Sequence, residues 1–162
     1  MSLNEEEIWS ILKEIPDPEI PVISIVDLGI ARDVRIDHDK VIVDITPTYS
    51  GCPAMNAIEK DIIEKLKEAG VKKPEVKMVF SPVWTTDWLN DEAKEKLRKY
   101  GIAPPEKVSS DKSILSGKPR IIACPRCGSE NTMLISHFGS TACKALYKCE
   151  DCLEPFDYFK CH

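Results

Sequence analysis

Two Cys-x-x-Cys pairs, Cys124-Pro-Arg-Cys127 and Cys149-Glu-Asp-Cys152, stand 21 residues apart near the end of the chain and constrain its fold more than any other feature. Two thiolates three positions apart on a tight turn grip one face of a tetrahedral ion, and a second such turn brought over by a hairpin closes a four-sulfur site. Thr132-Met-Leu-Ile135 and Lys144-Ala-Leu-Tyr147 are short β-prone runs that predict this hairpin. A module of about forty residues buries too little apolar surface to fold unaided, so bound metal would supply much of its folding free energy. Zinc suits the donor set, with an iron-sulfur cluster or a pair of disulfides as alternatives.

The chain of 162 residues leaves room for one domain of ordinary size ahead of this ribbon. Its first residues, Met-Ser-Leu-Asn-Glu-Glu-Glu, are acidic where a signal peptide would be basic, and no apolar stretch approaches bilayer length. The expectation is a cytoplasmic protein without a membrane partner. Seven cysteines, an odd number, point to metal binding or reactive thiols over a disulfide framework. The net charge is -5, yet basic and acidic side chains balance within the ribbon. No basic face is offered to phosphate, and nucleic acid is not an expected partner.

Apolar periodicity places the first helix over residues 5–15, with Ile8, Ile11, Leu12 and Ile15 on one face and either Ser2 with Glu5 or Asn4 with Glu7 as a capping box. Three prolines within Pro16–Pro21 make an ordered loop, expected at the surface. Ile30, Val34 and Ile36 alternate with polar residues, and a turn at 37–40 joins them to Val41–Thr46 as a β-hairpin. The second helix follows Cys52 at the cap and Pro53 at the first helical position, burying Met55, Ile58, Ile62, Leu66 and Ala69 up to Gly70. Val76, Met78 and Phe80 alternate as a third strand, and a last helix runs over 90–100 with Leu89, Ala93, Leu97 and Tyr100 on its apolar side. The predicted class is α+β: an α-β-β-α-β-α two-layer domain over 1–102, a linker over 103–119 rich in prolines, serines and lysines, and a zinc β-ribbon over 120–162.

Outside the ribbon, Cys52 is the residue best placed for chemistry. Unpaired amides and the positive end of the helix dipole stabilise a thiolate there, making Cys52 a candidate nucleophile or soft-metal ligand. A buried cysteine packed as a small hydrophobe is the competing reading. Gly51 permits close approach of a ligand, and Thr46, Thr48, Tyr49 and Ser50 supply hydrogen-bonding groups. A cysteine-histidine pair has little support, because His38 falls in a hairpin turn and His137 and His162 belong to the ribbon. Asp17, Glu19 and Asp27 sit near rigid or glycine-containing turns, where carboxylates most often cap the backbone. Trp84 and Trp88 would either cover a pocket or pack at the sheet edge.

Asp17-Pro-Glu19, Asp27-Leu-Gly29, the Thr46 to Pro53 loop and Pro82-x-Trp84-Thr-x-Asp87 occur in an order that resembles the SufT-type family of small iron-sulfur cluster assembly domains, over about the first hundred residues. The tail from Phe138-Gly-Ser-Thr-Ala-Cys143-Lys through Cys152 to Cys161-His162, fused to such a domain, resembles the PaaD/PaaJ-type proteins that accompany the bacterial phenylacetyl-CoA ring-epoxidase. The resemblance implies that Cys52 is the functional thiol, with Asp27, Thr46 and Thr48 as neighbours. It also implies a part in maturing iron or iron-sulfur centres, and epoxidase subunits or other iron proteins as partners.

These features favour an assembly factor or accessory subunit over an enzyme. A structural subunit of the oxygenase and a cysteine-dependent enzyme are the alternatives, and a homo-oligomer is compatible with all three. An oxygenase needs a metal with open positions, typically from Glu-x-x-His pairs on helices, and the sequence has none. Cys143, Cys161 and His162 are soft ligands that a closed zinc site leaves unused. Cys161 and His162 at the chain end predict a second, open metal site that Cys143 could join, although for Cys143 packing in a small core beside Phe138, Phe156 and Phe159 is the favoured reading.

Overall fold

The computed structural model describes residues 3–49, 51–105, 121–141 and 143–159. Its contacts divide the chain into two compact units, Met1–Trp84 and Thr85–His162. Most of the expected linker falls outside the described residues.

The first unit begins with helix α1, Glu5–Lys13, whose Asn4 and Glu7 form the reciprocal capping box. Antiparallel strands β1, Ala31–Asp37, and β2, Lys40–Ile45, form the expected hairpin. Helix α2, Ala54–Glu68, then crosses over to strand β3, Lys73–Met78, which pairs parallel with β2 and completes the order β1-β2-β3. A parallel neighbour requires such a crossover, and the helix supplies it. Helix α1 packs on β1 and on α2, and α2 on β3, so both helices form one layer on the sheet. Ile8, Leu12, Val43, Ile45, Ile58, Ile62 and Leu66 are fully enclosed between the layers.

Four details differ from the sequence expectation. Ile36 is exposed: it shares a face with buried Val34 but lies past it at the end of β1, next to the hairpin turn. Met78 and Phe80 are exposed because β3 is an edge strand that ends at Met78, leaving Phe80 past the sheet. Ala69 is exposed and serves as the C-cap of α2. The proline loop is only half at the surface: Pro16 and Pro18 face out, whereas Asp17 turns in and accepts the Glu19 and Ile20 amides at 2.9 and 2.8 Å. That turn seats Ile15, Ile20, Ile23 and Ile25 in the core, and the Ile25 amide donates back to Ile15 O at 3.0 Å. The whole connection from α1 to β1 is thereby a packed element.

The second unit contains a 3-10 turn at Thr86–Trp88 and helix α3, Asp91–Tyr100, capped by Asn90, whose side chain accepts from the Ala93 amide at 2.7 Å. Tyr100 is exposed, outside the apolar face of that helix. Strand β4, Ile102–Ala103, pairs parallel with the last strand of a four-stranded sheet ordered β4-β7-β6-β5. Here β5 is Thr132–Ser136, β6 Lys144–Cys149 and β7 Pro155–Phe159. The β5–β6 hairpin is the expected one. Sequence order groups α3 with the upstream elements, but β4 follows it at once and joins the ribbon sheet, so the contacts place α3 in the second unit. Ala103, Ile122, Cys124, Ala145, Tyr147, Cys149, Phe156 and Tyr158 form the core beneath that sheet. The Tyr147 ring stacks on Phe156 and meets Tyr158 edge-on, each at 5.8 Å between centroids.

Candidate thiol site and candidate metal centre

Cys52 lies in the strand-to-helix connection of the first unit, half-buried, with its amide on Tyr49 O at 3.3 Å and its carbonyl accepting from Met55 at 3.4 Å. Pro53 is already in helical conformation, and no side chain caps α2. Gly51 precedes the thiol at φ 74, a left-handed conformation that a side chain resists. At the start of the loop the Thr46 amide donates to Ile30 O at 2.9 Å, extending the β1–β2 pairing by one step. Thr46 and Thr48 are buried, and the Thr46 hydroxyl has no hydrogen-bond partner among the described residues. Asp27 is buried one turn before β1, its amide on Ser24 Oγ at 3.1 Å. Trp84 fixes that turn from below: fully enclosed, its indole N–H donates to Leu28 O at 2.9 Å. Trp84 therefore packs in the core, and Trp88 is half-buried. Ser50 lies outside the described residues.

The ribbon cysteines converge. The Sγ atoms of Cys124, Cys127, Cys149 and Cys152 all lie within 4.8 Å of one another, with Cys124–Cys152 at 3.8 Å and Cys127–Cys149 at 3.5 Å. A tetrahedral zinc with Zn–S bonds of about 2.3 Å needs sulfur–sulfur edges of about 3.8 Å, so the four thiols fit such an ion. All four positions are filled by sulfur, which suits a structural site with no place for substrate. Among the described residues this is the one group of three or more ligating side chains close enough to share an ion. Cys143 is instead buried, its Sγ 3.0 Å from Thr141 Oγ1, in keeping with the packing alternative. Phe138 is exposed and takes no part in that core, whereas Phe156 and Phe159 are buried. Cys161 and His162 lie outside the described residues.

Main-chain amides shift one of the thiols toward thiolate. The Cys152 amide points at Cys149 Sγ, and together with the Asp151 amide it draws the Cys149 thiol down to about 7. At Cys152 the Glu154 amide favours the thiolate, but desolvation and the three neighbouring sulfurs outweigh it and push that thiol up to about 12. At Cys127 the Ser129 amide is likewise outweighed, by Cys149 and by desolvation, and the thiol is raised. Four sulfurs this close cannot all carry charge without a cation between them. Asp151 ties the two turns together, accepting from Ser129 Oγ and from Asn131 Nδ2. Sequence reasoning missed this clamp, whose signal is an acidic residue inside one Cys-x-x-Cys and hydroxyl and amide side chains just after the other.

The residue that follows each Cys-x-x-Cys pair takes a left-handed conformation. Gly128 follows the first pair at φ 78, and Leu153 follows the second at φ 65 with its side chain exposed. A leucine pays a steric penalty in that region and recovers little by burial. Leu153→Gly should raise the stability of the metal-loaded ribbon by about 1 kcal/mol. A thermal melt at fixed zinc concentration checks this, and a lower midpoint would show that the leucine is held by contacts that offset its strain.

Residues 108–160 match the PaaD zinc beta ribbon domain, and residues 5–78 match the iron-sulfur cluster assembly protein family. Over 155 residues, covering 96% of this chain and 92% of the relative, the sequence is 50% identical to an Escherichia coli protein described as a subunit of 1,2-phenylacetyl-CoA epoxidase. The chain belongs to the PaaD family. An Fe-S protein maturation auxiliary factor of Porphyromonas gingivalis is 37% identical over 91 residues, which cover 86% of that protein but 55% of this PaaD-family chain. The solved DUF59 domain from Bacillus anthracis aligns with a TM-score of 0.54 at 30% identity, covering 90% of that chain and 57% of this one. The PaaD-family protein therefore couples an assembly-type domain to a metal ribbon that these shorter relatives do not match. No helix among the described residues is long and apolar enough to cross a membrane.

Proposed function

We propose that this protein is an accessory factor of phenylacetyl-CoA epoxidase that assists assembly or upkeep of iron or iron-sulfur centres in its client, in the cytoplasm. Cys52 is the functional thiol, with Asp27, Thr46 and Thr48 around it. The ribbon, held by one zinc on Cys124, Cys127, Cys149 and Cys152, selects the client. Zinc here neutralises four crowded sulfurs and fixes the turns, and the chemistry stays with the other unit.

One observation carries the reading. The similarity to a general maturation factor stops at about half of this chain, and the remainder is the ribbon shared with the epoxidase-associated relative. A general activity joined to a particular attachment is the economical account of that pattern. A second reading, a permanent structural component of the epoxidase, draws support from the description of the Escherichia coli relative as one of its subunits. Deleting the gene and measuring iron in the purified epoxidase separates them. The assembly reading expects an intact epoxidase complex that is poor in iron and a factor that co-purifies in less than one copy. An iron-replete complex that falls apart without this chain would establish the structural reading instead.

A further inference from the structure

Two uncharged stretches leave the sheet of the first unit side by side. Charged residues make up 30% of the chain, yet none stands between Asp44 and Glu59 or between Lys77 and Asp87. Strands β2 and β3 run parallel with Ile45 opposite Met78, so both stretches begin at the same end of the sheet, where the Val79 amide donates to Ile45 O at 2.8 Å. The first stretch leads to Cys52. The second returns to that end through Trp84, whose indole reaches Leu28 O beside the buried Asp27.

The same end of the sheet carries an apolar rim. Among the described residues, the exposed large apolar side chains of the first unit are Ile36, Met78, Phe80 and Val83, and the last three fall within six residues. Phe80 is 67% exposed and Val83 79%. Scattered apolar residues at a surface are ordinary, but a run of them marks a contact surface. This run is also held from behind, by the Val79 amide at one end and by the enclosed Trp84 at the other. Side chains presented on a fixed loop lose little freedom when they are covered, which favours binding. The absence of charge says what covers them. A charged face set against this rim would lose its hydration and find no counter-ion, whereas the buried centres of protein interfaces are depleted of charge in the same way.

We propose that Phe80 and Val83, with Met78 beside them, form the rim on which the client protein docks when it meets Cys52, and that the client covers them with an uncharged, apolar face. This rests on the reading of Cys52 as the functional thiol and of the epoxidase as client. It deepens that reading by naming the surface of the first unit that the client touches.

The test uses the full-length, zinc-loaded protein and, as probe, epoxidase purified from cells that lack this chain. Replacing both residues, Phe80→Ser with Val83→Ser, should weaken binding by about tenfold or more. The factor should be the same at low and at high salt, because no charge takes part. The melting temperature should hold, since both side chains already face solvent. Ile36→Ser changes an exposed apolar residue beside the hairpin turn, at the opposite end of the sheet, and should bind as wild type does. Unchanged binding by the double variant, or a loss that disappears at high salt, would overturn the rim while leaving the epoxidase as client. Sedimentation that finds a wild-type dimer, split by the double variant with no change in epoxidase binding, would also overturn it and make the rim a contact between two copies. If wild type does not bind the epoxidase at either salt concentration, the client reading and the rim fall together.

Discussion

Removing metal from the ribbon is expected to collapse the second unit while Met1–Trp84 stays folded. Two of the eight residues in the second core, Cys124 and Cys149, are themselves thiols of the metal site, so the site and the core are one structure. Without the ion, the fixed bridge between the turns is lost and the sheet is released at the end of β6, where Cys149 sits. Structural zinc in small modules supplies about 10–16 kcal/mol, more than a ribbon of this size gains from burial. Cys149→Ser should have the same outcome, because Cys149 is fully enclosed and cannot be replaced by water. Acid should act in the same direction. Cys127 and Cys152 are raised above the ordinary thiol range by their sulfur neighbours and desolvation, and Cys149 is drawn down to about 7 by the amides of its turn. Metal uptake must therefore release protons, and affinity must fall as pH falls. Chelator titration followed by amide exchange checks the claim: protection should vanish in β5, β6 and β7 and persist in β1, β2 and α2. Retained protection in the ribbon after complete zinc removal would refute it.

Cys52→Ala is expected to abolish the cellular function and leave the fold intact. The contacts that hold residue 52 in place are its amide to Tyr49 O and its carbonyl from Met55, both independent of the side chain. The thiol is half-buried in a loop already anchored by the Thr46 amide, so its loss leaves no large cavity. Stability should change by less than about 1 kcal/mol. Growth on phenylacetate and iron content of the epoxidase should drop to the level of the gene deletion. Full complementation by the alanine variant would remove Cys52 from the mechanism, and a lowered melting temperature would recast it as a packing residue.

The helices were legible because each carries its own signals. Asn4 and Glu7, Asn90, and the apolar spacing from Met55 to Leu66 are local, and local patterns survive folding. The metal thiols were legible for a similar reason, since ligand spacing reflects the ion more than the surroundings. Strand β7 was not, because Pro155-Phe-Asp-Tyr-Phe159 is short, opens on a proline and shows its pattern only against β6. The exposure of Met78 and Phe80 depends on β3 being an edge, which is a property of sheet order and not of its sequence. The enclosed positions of Trp84 and Asp17 depend on partners 56 and a few residues away, which periodicity does not encode. Around Cys52 the residue types were evident, but the unpaired state of the Thr46 hydroxyl could only come from coordinates.

Strand β4 has only two residues, yet it decides where one module can be exchanged for another. Because Ile102 and Ala103 complete the ribbon sheet beside Asp157 and Tyr158, the second structural unit extends upstream of the stretch that matches the ribbon family. A chimaera joined just before Cys124 would carry two metal-binding turns but a sheet with a bare edge where β4 had been. One joined after Trp84 would bring α3, β4 and the ribbon together. An exchange that keeps the ribbon sheet whole therefore joins upstream of α3, so that β4 travels with the strand it pairs with.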